Sequence, residues 1–210
     1  MTMIPPPRSG RGEGRHAYSS FQDIADSILN AALHDAGSTL LVGIDGAGGS
    51  GKSALAERLA ASFTSATVVH IDDFADWSDD SNWTMSIFAE RVLKPLIDGL
   101  TSMHQRYDWS TDLLGEWFEV VPGDIVIVEG VSALRSDLSK YWTVSVWVDC
   151  PRDLRLKRGV ERDGEANRYK WEDLWMPGED KYMRDNRPWK HVDFIFDGTG
   201  RTGSKFSPPV

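Results

Sequence analysis

Leu40-Leu41-Val42-Gly43-Ile44-Asp45 runs directly into Gly46-Ala47-Gly48-Gly49-Ser50-Gly51-Lys52-Ser53, and Ala54-Leu55-Ala56-Glu57-Arg58-Leu59 follows without a break. The apolar run predicts a strand over Thr39–Ile44, and the spacing of the later apolar residues predicts a helix from Lys52 to about Phe63. Between them stands Gly, four residues, then Gly-Lys-Ser. Glycines at 46, 48, 49 and 51 let the backbone curl with its N–H groups inward, and the helix N-terminus adds partial positive charge. Such a loop holds a polyphosphate with donors that need no reorganisation. Every residue from Gly46 and Ala47 through Gly48, Gly49, Ser50 and Gly51 to Lys52 and Ser53 is therefore a candidate phosphate contact. Lys52 reaches the β and γ oxygens, and Ser53 offers its hydroxyl to Mg²⁺. A loop that only turned the chain would need neither Lys nor Ser there.

Outward from this loop, strand-like apolar runs alternate with amphipathic stretches, the pattern of a parallel sheet with crossover helices. A helix is expected from about Tyr18 to Asp35, a second strand over Thr67–Ile71 and a helix from about Met85 to Ile97. Met103–Trp109 and Glu116–Val121 read as short strands of a hairpin-like excursion around a loop containing Gly115. Asp124–Val128 and Val144–Asp149 have the near-continuous apolar character of buried parallel strands. A helix begins near Pro151 at its first position, another spans about Trp171–Asp185, and Val192–Phe196 closes the sheet. Residues 1–16 and 198–210 are rich in Pro, Gly, Ser or Arg and read as mobile tails around a single body at 17–197.

Asp72 and Asp73 follow the second strand, at the carboxyl edge where ligands of such sheets lie. A carboxylate there can accept the proton of an attacking hydroxyl and help hold Mg²⁺; the same pair would also serve as a turn cap. Ile125-Val126-Ile127-Val128-Glu129 is an apolar run ending in one acid, which predicts a second metal-site carboxylate at Glu129, or else an exposed strand-end acid. Arg155, Arg158 and Arg162 share one face of the helix after Pro151 and could clamp a transferring phosphoryl group, or form a solvated, ion-paired face. Trp77, Trp83, Trp109 and Trp117 could together stack on a planar acceptor, with core packing as the competing reading for each.

Composition narrows the function. The 210 residues are 40% hydrophobic and 26% charged, with 19 Gly, 10 Pro and one Cys. A formal net charge of -9, from 23 basic against 32 acidic residues, disfavours nucleic acid or an anionic membrane as partner. No apolar run approaches the length of about 20 residues that spans a bilayer, and lone Cys150 makes no internal disulfide. A cytoplasmic, reducing location is expected, with a small-molecule acceptor as partner. Whether the chain forms a homo-oligomer stays open.

The run Ile44 to Ser53, with Asp72-Asp73-Phe74, Tyr107-Asp108-Trp109, Val128-Glu129-Gly130 and Arg155-Leu156-Lys157-Arg158 through Arg162-Asp163, resembles the uridine kinase family in order and spacing. That family stands with pantothenate kinase and phosphoribulokinase among P-loop kinases, and the resemblance covers about residues 39–197. It implies a doubly wound, mostly parallel α/β sheet of the nucleotide kinase-like P-loop type, with a lid around 151–187. It also implies ATP with Mg²⁺ and transfer of the γ-phosphoryl group to a small metabolite. Asp72 matches the catalytic base, Glu129 the acidic metal-site residue, Arg158 and Arg162 the lid arginines, and Tyr107 the pocket aromatic. Where the family carries a pocket His, this chain has Ser110, Thr111 and Asp112, and Asp112 can hydrogen-bond a sugar or amine hydroxyl. With Asp73 and Arg155, these residues form the expected acceptor site. A nucleoside acceptor, a pantothenate-like or sugar acceptor, and a nucleotide-binding switch without transfer are the three readings in play.

Overall fold

A computed structural model of the chain describes residues 17–35, 37–74, 85–201, 206 and 208. The tail expected at 1–16, and Trp77 and Trp83, lie outside the described residues. The first helix, α1 (Phe21–His34), opens on a capping box: the Ser20 hydroxyl accepts from the Asp23 N–H, and the Asp23 carboxylate accepts from the Ser20 N–H. It is followed by β1 (Leu40–Asp45), α2 (Lys52–Ala60) and β2 (Ala66–His70), and a single 3-10 turn at Ile71–Phe74. One helical run then comprises α3 (Met85–Phe88), a π-turn (Ala89–Leu93) and α4 (Lys94–Ile97). The π-turn has a local cause. Pro95 has no N–H for the carbonyl of Arg91 four residues back, and the Ser102 hydroxyl donates to that carbonyl instead, at 2.8 Å.

The strands β5 (Ile125–Glu129), β6 (Val144–Asp149) and β7 (Phe194–Asp197) complete a five-stranded sheet in the order β2-β5-β1-β6-β7, with every pairing parallel. All six residues of β1 and all five of β5 are buried, because helices cover both faces. Alternation sorts the side chains. Val42, Ile44, Ile127 and Val146 meet Ile24, Ile28, Leu55 and Leu59 of α1 and α2 on one face. Leu41, Val126, Val128 and Trp147 meet Phe88, Val92, Met183 and Trp189 on the other. The sheet is thus doubly wound, and β1 sits at its switch point, where ligands bind at the carboxyl ends of the strands.

The hairpin β3 (Ser102–Asp108) and β4 (Leu113–Val120) forms a separate antiparallel sheet with a bulge between Gln105 and Tyr107. Its turn is 109–112, and Gly115 lies inside β4 rather than in the loop as the sequence suggested. The inner face carries His104, fully buried between Phe74 and Phe118, and burial lowers its pKa to about 4. Trp109 and Trp117 are exposed on this hairpin.

After β6, Pro151 is the cap preceding α5 (Arg152–Asp163) rather than its first residue. A π-turn (Lys170–Trp175) then leads into α6 (Met176–Asn186), again with a Pro in the following first turn, and α6 packs beside β6 through Met183. Two described residues in the stretch expected to be a mobile tail at 198–210, Gly198 and Phe206, make contacts with the body. Gly198 donates to the Asp149 carbonyl at 2.8 Å, and a side chain there would meet Ser50 O at 2.0 Å. Phe206 is buried edge-on against Tyr18. Composition alone does not reveal this aromatic contact. Among the described residues no helix is long and apolar enough to cross a membrane.

Candidate active site

The loop between β1 and α2 takes its shape from Gly49 and Gly51, both at positive φ, and α2 has no side-chain cap. Its first N–H groups are thereby left for a ligand. Lys52 is buried, and its ammonium is near enough to the Asp45, Glu129 and Glu179 carboxylates to favour the charged form of each.

Ser53 and Glu129 come together as the sequence predicts. The Ser53 hydroxyl donates to Glu129 Oε1 at 3.0 Å, and His70 Nδ1 hydrogen-bonds the same oxygen at 2.5 Å. Burial pushes the Glu129 carboxyl up, but His70, Lys52 and Ser53 outweigh it and hold it below the usual range. The His70 imidazole is raised chiefly by its bond to Glu129, against the opposing effect of burial. Glu129 Oε2 is buried with no hydrogen-bond partner. Among the described residues no group of three His, Cys, Asp or Glu side chains could cage a metal. One hydroxyl beside one carboxylate with a spare oxygen suits Mg²⁺, which keeps water and phosphate oxygens as its remaining ligands.

Asp72 and Asp73 lie on the 3-10 turn after β2, Asp72 exposed and Asp73 half-buried. Burial raises the Asp73 carboxyl, against the pull of His70 and of Arg106, whose Nε lies 3.6 Å away. Arg162 forks onto its neighbour Asp163 at 2.7 and 3.0 Å and lies over the Trp171 ring, and the Asp72 charge also reaches it. Tyr107 and Asp112 meet at the hairpin tip, the phenol donating to the carboxylate, with Asp112 in the left-handed region at φ 59.

Of the three arginines expected to form the clamp, Arg155 and Arg158 are engaged otherwise. Arg155, placed by its spacing on the clamp and also expected in the acceptor site, is buried in an ion pair with Glu179 at 3.0 Å, and its Nε donates to the Cys150 carbonyl. Arg158 donates to the carbonyls of Gly49 at 3.2 Å and Gly198 at 2.9 Å, fastening the phosphate loop to the chain after β7. Helical spacing put these side chains on one face, but that face abuts protein along most of its length.

Three further residues escaped the sequence reading. Asp45, wholly buried, accepts from the N–H groups of Gly46, Ser132 and Leu134 and from the Tyr182 hydroxyl. Burial dominates and raises its pKa to about 6, despite those hydrogen bonds. Glu179 accepts from the Gly48 N–H at 2.8 Å. His70, two residues before Asp72, was the one with a signal in the sequence.

Two family models match the chain. That of the methylmalonyl Co-A mutase-associated GTPase MeaB matches residues 14–73, and that of the phosphoribulokinase / uridine kinase family matches residues 87–176. A uridine kinase of Macrococcus caseolyticus is 30% identical over an alignment 179 positions long that covers 75% of this chain and 82% of the relative. A uridine kinase of Clostridium novyi is 30% identical over an alignment 144 positions long that covers 59% of this chain and 68% of the relative. A solved structure described as a possible uridine kinase from Bacillus stearothermophilus superposes with a TM-score of 0.63 at 22% identity, over 84% of this chain and 98% of that one. At that identity the likeness speaks for the fold alone.

Proposed function

The chain belongs to the phosphoribulokinase / uridine kinase family and is a P-loop kinase, and on that premise we propose that it phosphorylates a nucleoside hydroxyl with ATP and Mg²⁺. The observation that carries this reading is the contact of Ser53 with Glu129 beside buried Lys52, on the same sheet edge as Asp72. The N–H groups of the loop and the Lys52 ammonium hold the phosphates. The Ser53 hydroxyl and Glu129 Oε2 would hold a metal ion, which would supply positive charge against the negative charge of the phosphates.

Asp72 receives the proton of the acceptor hydroxyl. The hydroxyl oxygen forms its bond to the γ-phosphorus as the bond from that phosphorus to the bridging oxygen breaks, and the diphosphate leaves. Arg162, within the field of Asp72, stabilises charge on the transferring group. Arg158 and Arg155 act one step back, by holding the loop and the lid formed by α5 and the segment through α6. Tyr107 with Asp112, and Asp73 with Arg106, supply the hydrogen-bonding wall for the acceptor.

The pairing of the Tyr107 phenol with a carboxylate, rather than a pocket His, favours a second acceptor class, a sugar or pantothenate-like alcohol. ADP release in the presence of nucleosides, sugars and pantothenate-like alcohols separates the two. Stimulation by a nucleoside supports the first reading, and stimulation by none overturns it.

A further inference from the structure

Helix α6 is tied to the phosphate loop and to the end of the strand before it, by contacts 131 and 137 residues apart in sequence: Glu179 to the Gly48 N–H, and Tyr182 to Asp45. The contact at Gly48 is close. A side chain there would have its Cβ 2.7 Å from Glu179 Oε1 and 2.8 Å from the Trp171 ring, so glycine is what lets the carboxylate reach the backbone. Glu179 is only 8% exposed, and its partners are the Gly48 N–H, the Arg155 guanidinium at 3.0 Å and the field of Lys52. A backbone N–H, a guanidinium and a lysine ammonium are also the donors that bind a phosphoryl group. Burial raises the Glu179 carboxyl, and these donors oppose it.

Lys52, the residue of such a loop that reaches the β and γ oxygens, also acts on the Glu179 carboxylate, so Glu179 and the Gly48 N–H it occupies stand at the end of the loop that Lys52 serves. We propose that Glu179 is a specificity-determining residue that stands in for the terminal phosphoryl group, occupying the Gly48 N–H in the nucleotide-free protein and yielding it to a triphosphate but not to a diphosphate. This inference rests on the kinase reading above. The incoming oxygens take the Gly48 N–H from Glu179 Oε1 while Oε2 keeps its bond to Arg155, so the buried guanidinium is never left unpaired. After transfer, the carboxylate returns to Gly48 and the diphosphate leaves a loop already refilled at its terminal end.

The test is calorimetric binding of ADP and of a non-hydrolysable ATP analogue, each with Mg²⁺, to the native chain, Glu179→Gln and Glu179→Asp. Removing a charge-assisted competitor is expected to tighten the analogue about tenfold while ADP stays within about twofold. Glu179→Asp keeps an anion for Arg155 while drawing the oxygen back from Gly48, so it gives the same result without an uncompensated buried charge. Equal weakening of both nucleotides, or an unchanged ratio between them, makes Glu179 a structural prop and overturns the inference alone. A native chain that binds neither nucleotide overturns the kinase reading and this inference together.

Discussion

His70 Nδ1 lies 2.5 Å from Glu129 Oε1, so the closing residues of β2 and β5, paired in the sheet register, are joined through their side chains as well. The same carboxylate oxygen receives the Ser53 hydroxyl. The start of α2, β2 and β5 therefore converge on one group, and the side chains proposed above to hold Mg²⁺ are already in contact with each other. Preorganisation of this kind is how a kinase active site lowers the barrier to transfer.

His70→Gln keeps one hydrogen bond to Glu129 but loses its charged form. Orienting partners of metal ligands are worth about tenfold or more in metal affinity. The Mg²⁺ concentration that half-saturates nucleotide binding should rise by about that factor, with the acceptor KM unmoved. A titration of nucleotide binding against Mg²⁺ measures it, and an unchanged midpoint separates His70 from the metal site.

Asp72→Asn should keep nucleotide affinity within a few-fold and lower transfer by at least about 100-fold, the scale of a lost general base. Initial rates at saturating acceptor, beside binding of the ATP analogue, measure the two effects separately. Unchanged turnover would remove Asp72 from the chemistry.

Asp45 predicts an unusual pH dependence. Its folded pKa of about 6 lies above the ordinary carboxyl value of 3.8, so between those limits the folded chain binds the proton more tightly than the unfolded one. The stability it contributes is complete below the ordinary value and is lost as pH rises through the folded value. Over the whole window the change is on the order of 3 kcal/mol. The stability difference between the native chain and Asp45→Asn, from urea unfolding at pH 4 and pH 7, should move in favour of the variant as pH rises. A difference that moves the other way contradicts this.

Trp171 packs into the space that Gly48 and Gly159 leave open, and its indole N–H donates to Asp163 at 2.9 Å. Trp171→Ala should cost about 3–5 kcal/mol and also weaken nucleotide binding, because the cavity opens directly beneath the loop. Denaturant unfolding and calorimetry test the pair, and loss of stability without loss of affinity would detach α5 and α6 from the phosphate site.

The parts of this molecule that could be read from the sequence were those whose partners lie nearby in the chain. The glycine loop, the apolar runs of β1, β5 and β6, and the acid closing β5 are local patterns, and each stands where its pattern predicted. The π-turn before Pro95 depends on Ser102 meeting an orphaned carbonyl, which no periodicity reveals. Arg155 looked like Arg162, since helical spacing states which face a side chain shares and not what that face meets. Its partner Glu179 is 24 residues on, and the loop it braces is more than a hundred residues back. Asp45 read as the last residue of a strand, and its importance emerged only when α6 and the chain after β5 closed over it.

The most direct test of the account is the identity of the product. Phosphorus NMR of the native chain with Mg²⁺, ATP and a nucleoside should give a new phosphomonoester resonance that grows in step with ADP, needs the nucleoside, and is absent with Asp72→Asn. ADP formed at the same rate with and without the nucleoside, and no phosphomonoester, would contradict it.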